Sequence, residues 1–212
     1  MKDKKEIVVW DLPVRIGHWV LVAAFAVAYL TEGEPKTLHV WTGYLIAGIV
    51  VLRVLWGLVG PRHARFSDFV YGPAAVLGYL RDLVGLRARR YLGHSPAGGA
   101  MVVALLLSLA ATTLTGMATL AGKDHEGPLA SFITSDAGIA PVVLVPAAMA
   151  GEREGEDEGG KRRRAAFQEV HEVFANLTLV LVLLHVAGVT LASLMHRENL
   201  TRAMVTGRKW AE

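Results

Sequence analysis

The sequence predicts an all-α membrane protein, a four-helix bundle with both termini in the cytoplasm and an amphipathic surface helix between spans two and three. Three observations carry that prediction. The 212 residues are 53% hydrophobic with a mean hydropathy of +0.39. The charged residues, 19% of the chain, are clustered so that four long apolar stretches remain between them. One of these, Val173 to Met195, has no charged side chain and is long enough to cross a bilayer as a helix. The chain reads as one domain over residues 1–212.

The spans follow in order. "MKDKKEIVVWDLPVRIGHW" has no small-residue cleavage site, so it reads as a cytoplasmic tail leading into a retained first helix. Span one is placed at Val14 to Thr31, with Pro13 in its first turn, where no backbone N–H is missed. Trp10 and Trp19 suit its interfacial end. Span two is placed at Leu38 to Val59, span three at Pro96 to Ala121 and span four at Val173 to Met195.

Orientation comes from lysine and arginine. Fourteen lie in the N-terminal tail and span-one entry, the segment between spans two and three, and the C-terminal tail. Seven lie on the other side, six of them in a long connection that counts little toward orientation. The bias predicts N-in and C-in, in a multi-pass membrane protein.

Two connections have content. "FVYGPAAVLGYLRDLVGL", Phe69 to Leu86, has an apolar face and reads as the surface helix. Residues 122–167 read as a long periplasmic loop. In it "IAPVVLVPAAMA" is too short and proline-broken to span, and "GEREGEDEGGKRRR", Gly151 to Arg164, reads as mobile and solvated.

The chain has no cysteine, which excludes disulfides, thiolate-held zinc, iron–sulfur clusters and covalently attached c-type haem. It has eight histidines. On this topology His18 lies near the cytoplasmic start of span one and His39 near the periplasmic start of span two. His171 opens span four, and His185 lies about 21 Å deeper on the same helix. They form two pairs at two depths, His18 with His185 and His39 with His171. Facing neutral imidazoles suit a bis-histidine b-type haem, which takes one nitrogen on each side of the macrocycle. Gly43 and Ala175, each four residues after a proposed ligand, leave room beside it, and Gly48, Gly116 and Gly188 are similarly small.

Other readings compete. A membrane histidine can serve as an interhelical hydrogen-bonding residue or in a proton relay. A zinc-protease reading of "HEVFA" fails, because the fourth residue after His171 is Ala175 rather than histidine. His63, His94, His125 and His196 read as interfacial, with His94 the first to revisit. Arg53 lies at the depth of His185, and either snorkels to headgroups or pairs with a propionate of the cytoplasmic-side haem.

Taken together, "VWDLPVRIGHW", "LHVWTGYLIAGIVVLRVLWGLVGPRHARFSDFV", "YLGHSPAGG", "VHEVFANLTLVLVLLH" and "HRENLTRAMVTGRK" resemble the bacterial cytochrome b561 family. The resemblance is to the branch that includes the b-type cytochrome subunits of nickel–iron hydrogenases. It covers nearly the whole chain except the loop after span three. It implies two haems b, with ligands falling on His18, His39, His171 and His185. It also implies electron transfer between the quinone pool, ubiquinone or menaquinone, and a periplasmic c-type cytochrome or hydrogenase subunit.

Some members of the family oxidise superoxide and reduce quinone. The run Lys161 to Arg164 would suit an anionic substrate, although the neighbouring Glu152, Glu154, Glu156, Asp157 and Glu158 neutralise it. A non-redox anchor or transporter is the third reading, and a missing Soret band would mark it. The partners expected are lipid, quinone and a periplasmic redox protein, with no nucleic acid; a homodimer is compatible with the sequence.

Overall fold

The computed structural model describes residues 6–31, 34–133 and 156–211. In chain order the elements are β1 (Glu6–Val8), α1 (Leu12–Thr31), α2 (Lys36–Val59), a 3₁₀ turn (Arg62–Ala64), α3 (Phe66–Phe69), α4 (Pro73–Val84), α5 (Pro96–Asp124), α6 (Ala130–Ile133), α7 (Glu156–His196), α8 (Leu200–Thr206) and β2 (Arg208–Trp210). Four of them, α1, α2, α5 and the Ala165–His196 part of α7, are long and apolar enough to cross a membrane.

Local chemistry sets where these helices begin. Asp11 caps α1 by accepting from the Val14 N–H at 2.9 Å. Its other oxygen accepts from the Trp56 indole at 3.2 Å, which ties the start of α1 to the end of α2. Ser95 caps α5, accepting from Gly98 N–H at 3.2 Å, with Pro96 in the first turn.

Packing within the bundle is uneven. α1 lies on α2, α2 on α5 and α5 on α7, whereas α7 touches α1 and α2 only sparsely. Ala24, Ile46, Val50 and Leu109 form a core between α1, α2 and α5. The α5–α7 seam instead relies on hydroxyls: Ser108 Oγ lies 2.7 Å from Thr178 Oγ1, and Thr112 Oγ1 lies 3.2 Å from the same atom. Thr178 is fully buried. Lipid tails are as apolar as leucine, so burying greasy surface does not drive helices together in a membrane. Close packing of small residues and interhelical hydrogen bonds do.

At one end, short elements build a cap. β1 and β2 pair antiparallel in the register Glu6↔Trp210, Ile7↔Lys209, Val8↔Arg208. Val9, Trp10 and Ala203 pack beneath them with Ile7 and Met204. Phe69 of α3 is fully buried, and its carbonyl lies where a Cβ on Gly99 would stand, so only glycine lets α5 come this close.

Several expectations need correction. Residues 156–167 are not loop: α7 begins at Glu156, well before Val173, and includes most of the run read as mobile. Glu, Lys and Arg are good helix formers, so leaving lipid does not require a helix to end. Residues 151–155 and the "IAPVVLVPAAMA" segment lie outside the described residues. α5 continues to Asp124, and Trp10 is buried in the cap rather than standing at an interface. The stretch Phe69 to Leu86 contains one twelve-residue helix, α4, preceded by the end of α3.

Candidate haem-binding site

α7 runs unbroken through both of its histidines. It stands off from α1 and α2, so side chains meet across the gaps. His18 of α1 faces His185 with ring centroids 6.4 Å apart and planes at 58°. His39 of α2 faces His171 with centroids 6.1 Å apart and planes at 84°. The structure thus brings the four sequence-predicted histidines together in the two expected pairs.

Those distances decide what each pair can hold. A ligating imidazole nitrogen stands about 2 Å from a first-row metal, and roughly 1 Å from its own ring centre. Two imidazoles on opposite sides of one metal therefore have centroids about 6 Å apart. Direct imidazole–imidazole hydrogen bonding would bring the rings closer. Among the described residues no cluster of three or more His, Cys, Asp or Glu could hold a bare ion. A metal between these pairs has to bring its remaining donors with it, as a porphyrin does. A Cβ added to Gly43 meets no atom within 4 Å, so the space beside His39 is open on its own helix face.

Tautomers are fixed at one pair. His39 Nδ1 lies 3.0 Å from the Ala28 carbonyl and His171 Nδ1 lies 2.9 Å from the Thr112 carbonyl. A carbonyl only accepts, so both nitrogens carry the proton and Nε2 keeps the lone pair a metal needs. Gly116 does not line open space: a Cβ there would lie 3.0 Å from the His171 ring. At the other pair, His18 Nδ1 is buried without a partner.

Arg53 does not snorkel free. Its guanidinium lies over Phe66 and Phe69, at 5.5 and 5.7 Å from the ring centroids, and Nη1 is buried without a partner. A buried cation with an unused N–H is suited to receive an anion. His94 is the residue that sequence reasoning misplaced. It packs between Trp10, at 4.6 Å, and Phe69, at 4.4 Å, and its Nδ1 is sealed from solvent without a partner. Burial, and then the Arg53 charge, push its pKa down to about 3. No charged neighbour in "YLGHSPAGG" marks it as surface, which was the available signal. Of the other three, His63 bonds Asp68 at 3.0 Å beside the cap, His125 closes α5 in a left-handed turn, and His196 ends α7.

A membrane bundle whose imidazoles face one another in two pairs across interhelical gaps has the architecture of a b-type cytochrome. The chain belongs to the prokaryotic cytochrome b561 family, whose model matches residues 9–207. It is 32% identical over 145 residues to a probable Ni/Fe-hydrogenase B-type cytochrome subunit of Cupriavidus necator, covering 55% of this chain and 59% of that protein. It is 27% identical over 154 residues to a protein of the same description from Rhizobium leguminosarum bv. viciae, covering 58% and 64%. The chain thus spans about six tenths of these relatives' length. No solved structure matches it. Membership identifies a multi-pass membrane protein of an electron-transfer family that binds haem b.

Proposed function

We propose that the chain carries electrons across the bacterial inner membrane through two haems b, one held by His18 and His185 and one by His39 and His171. The observation that carries this reading is the spacing of the two ring pairs, 6.4 and 6.1 Å. Each haem, when bound, supplies a one-electron couple. The chain's residues do the rest. The histidines fix the two sites at separate depths, α7 holds them in register, and the apolar helices exclude water between them. Arg53 offers its free Nη1 to a propionate at the His18–His185 site.

In this reading the capped end, with both terminal strands, faces the cytoplasm, as the basic asymmetry favours. α4 lies along that surface with Leu77, Leu80 and Val84 toward lipid; all three are exposed. A quinone, ubiquinone or menaquinone, is one exchange partner. The descriptions of the two relatives favour a hydrogenase over a c-type cytochrome as the periplasmic one.

The purified protein should contain two haems b per chain. Mixing it in turn with a quinol, a reduced c-type cytochrome and superoxide, and following haem reduction, identifies the donor. One haem per chain, or none, would end the di-haem reading, and fast reduction by superoxide would replace the hydrogenase partner with an oxidase role.

A further inference from the structure

The two histidine pairs differ in what holds their outer nitrogens. His39 and His171 each donate Nδ1–H to a backbone carbonyl, of Ala28 at 3.0 Å and of Thr112 at 2.9 Å. Thr115 Oγ1 lies 3.4 Å from the same His171 nitrogen. In the other pair His18 Nδ1 is buried without a partner, and among the described residues His185 makes no hydrogen bond through either nitrogen.

We propose that the Ala28 and Thr112 carbonyls make the His39–His171 site the more reducing of the two, with Gly116 as the residue that positions His171 for it. The inference rests on the ligand pairs proposed above. A ring that shares its Nδ1 proton with a carbonyl is more basic at Nε2 and donates more density to a metal there. That favours the oxidised form and lowers the potential, second-shell hydrogen bonding being one of the levers a protein has on haem iron. Both ligands of one site have the bond and neither ligand of the other does, so the effects add rather than cancel.

Arg53 acts in the same direction from the opposite end, since a nearby cation stabilises an added electron at the His18–His185 site. With haem at both sites, the difference would favour an electron at His18–His185 over one at His39–His171. Gly116 makes the first arrangement possible. A Cβ there would stand 3.0 Å from His171 Cε1 and 3.2 Å from Nδ1, so the ring would have to give way and its bond to the Thr112 carbonyl would weaken.

Redox titration of the haem-loaded protein, followed by absorbance, tests this in four variants. His39→Ala should retain the higher of the two wild-type midpoints and His18→Ala the lower. Gly116→Ala should raise the lower midpoint and leave the higher in place, which a merely loosened bundle would not do. In Arg53→Leu the gap should narrow but keep its order. Reversed or coincident midpoints in the histidine variants overturn the inference, as does collapse of the gap in Arg53→Leu, which would assign the whole difference to the cation. If His39→Ala and His18→Ala each keep both haems, the ligand pairs fall and the inference falls with them. Reversed midpoints after the correct single losses overturn the inference alone.

Discussion

At the capped end of the bundle Glu198 has 9% of its side chain exposed and accepts from Arg90 at 3.1 Å, with Lys209 at 3.9 Å and only 4% exposed. At the opposite end Lys36 meets Asp124 at 3.0 Å and Glu126 at 3.5 Å with half of its side chain in solvent. Both are clusters of a few charges at helix ends, yet they differ in kind. Exposed pairs are worth about 0–1 kcal/mol because water screens them. Buried charges have been stripped of water and depend on their partners, so losing one leaves the others uncompensated. Burial lowers the Lys209 pKa, and Glu198 opposes that shift. The capped end is a rigid closure built on sequence-distant contacts. The open end is held by its helices and by the carbonyl anchors of its two histidines.

The largest effects should come from the histidines themselves, because they test whether the ends are independent sites. Alanine at His18 or His185 should halve the haem content and leave the other haem's spectrum unchanged; alanine at His39 or His171 should remove the complementary one. Quantifying extracted haem against protein checks this, and loss of both from one substitution would make the two ends one unit.

Glu198→Ala should come next. It leaves Arg90 and Lys209 with backbone carbonyls but no carboxylate and should cost about 3 kcal/mol of stability in detergent, whereas Asp124→Ala at the open end should cost little, because water screens that pair. Similar losses from thermal unfolding of the two variants would erase the contrast. Arg53→Leu should lower the midpoint of the haem at the capped end alone, since the lost cation had favoured the added electron. A rise, or an equal shift at both ends, would count against a propionate partner.

His94 gives the cap a pH dependence of its own. Its folded pKa is about 3, below the ordinary histidine value. Between pH 6.5 and 3 the unfolded chain binds a proton that the folded chain refuses, so this contribution is complete above pH 6.5 and fades as the pH falls. Comparing unfolding of wild type and His94→Gln from pH 7 to 4 isolates it; the wild type should show the steeper fall.

The smallest effect should be Thr178→Val in the shared α5–α7 seam, about 0.6 kcal/mol, the average for membrane interhelical hydrogen bonds. A loss confined to one end's haem would show that the seam belongs to that end.

The same comparison shows what was legible in the sequence. Long apolar runs located all four spanning helices, two of them free of charge apart from Arg15 and Arg53, because lipid enforces an apolar side chain at nearly every turn. Fourteen-residue spacing along α7 placed both of its histidines on one side, and the pairs meet as depth alone suggested. The cap was not legible. β1 and β2 are three residues each, too short for any periodicity to register, and their pairing joins opposite ends of the chain. His94, lacking a local partner, looked like an interfacial residue, although its surroundings come from Trp10 and Phe69, distant in sequence. The Ala28 and Thr112 carbonyls were invisible for a simpler reason: every residue has one, and only the fold chooses which is used.

The pairing of Ile7 with Lys209 also orders events in time. The ribosome makes β2 about 200 residues after β1, which at ~5–20 residues per second is roughly 10–40 s. Until Arg208–Trp210 emerges, nothing can pair with Glu6–Val8, and the end of the bundle around His18 and His185 stays uncovered. The open end waits only for α7, since His39, His171 and the carbonyls that anchor them all precede β2 in the chain. Closure thus waits for β2, and the length of chain between the two strands sets the interval in which the capped site can be reached from its end.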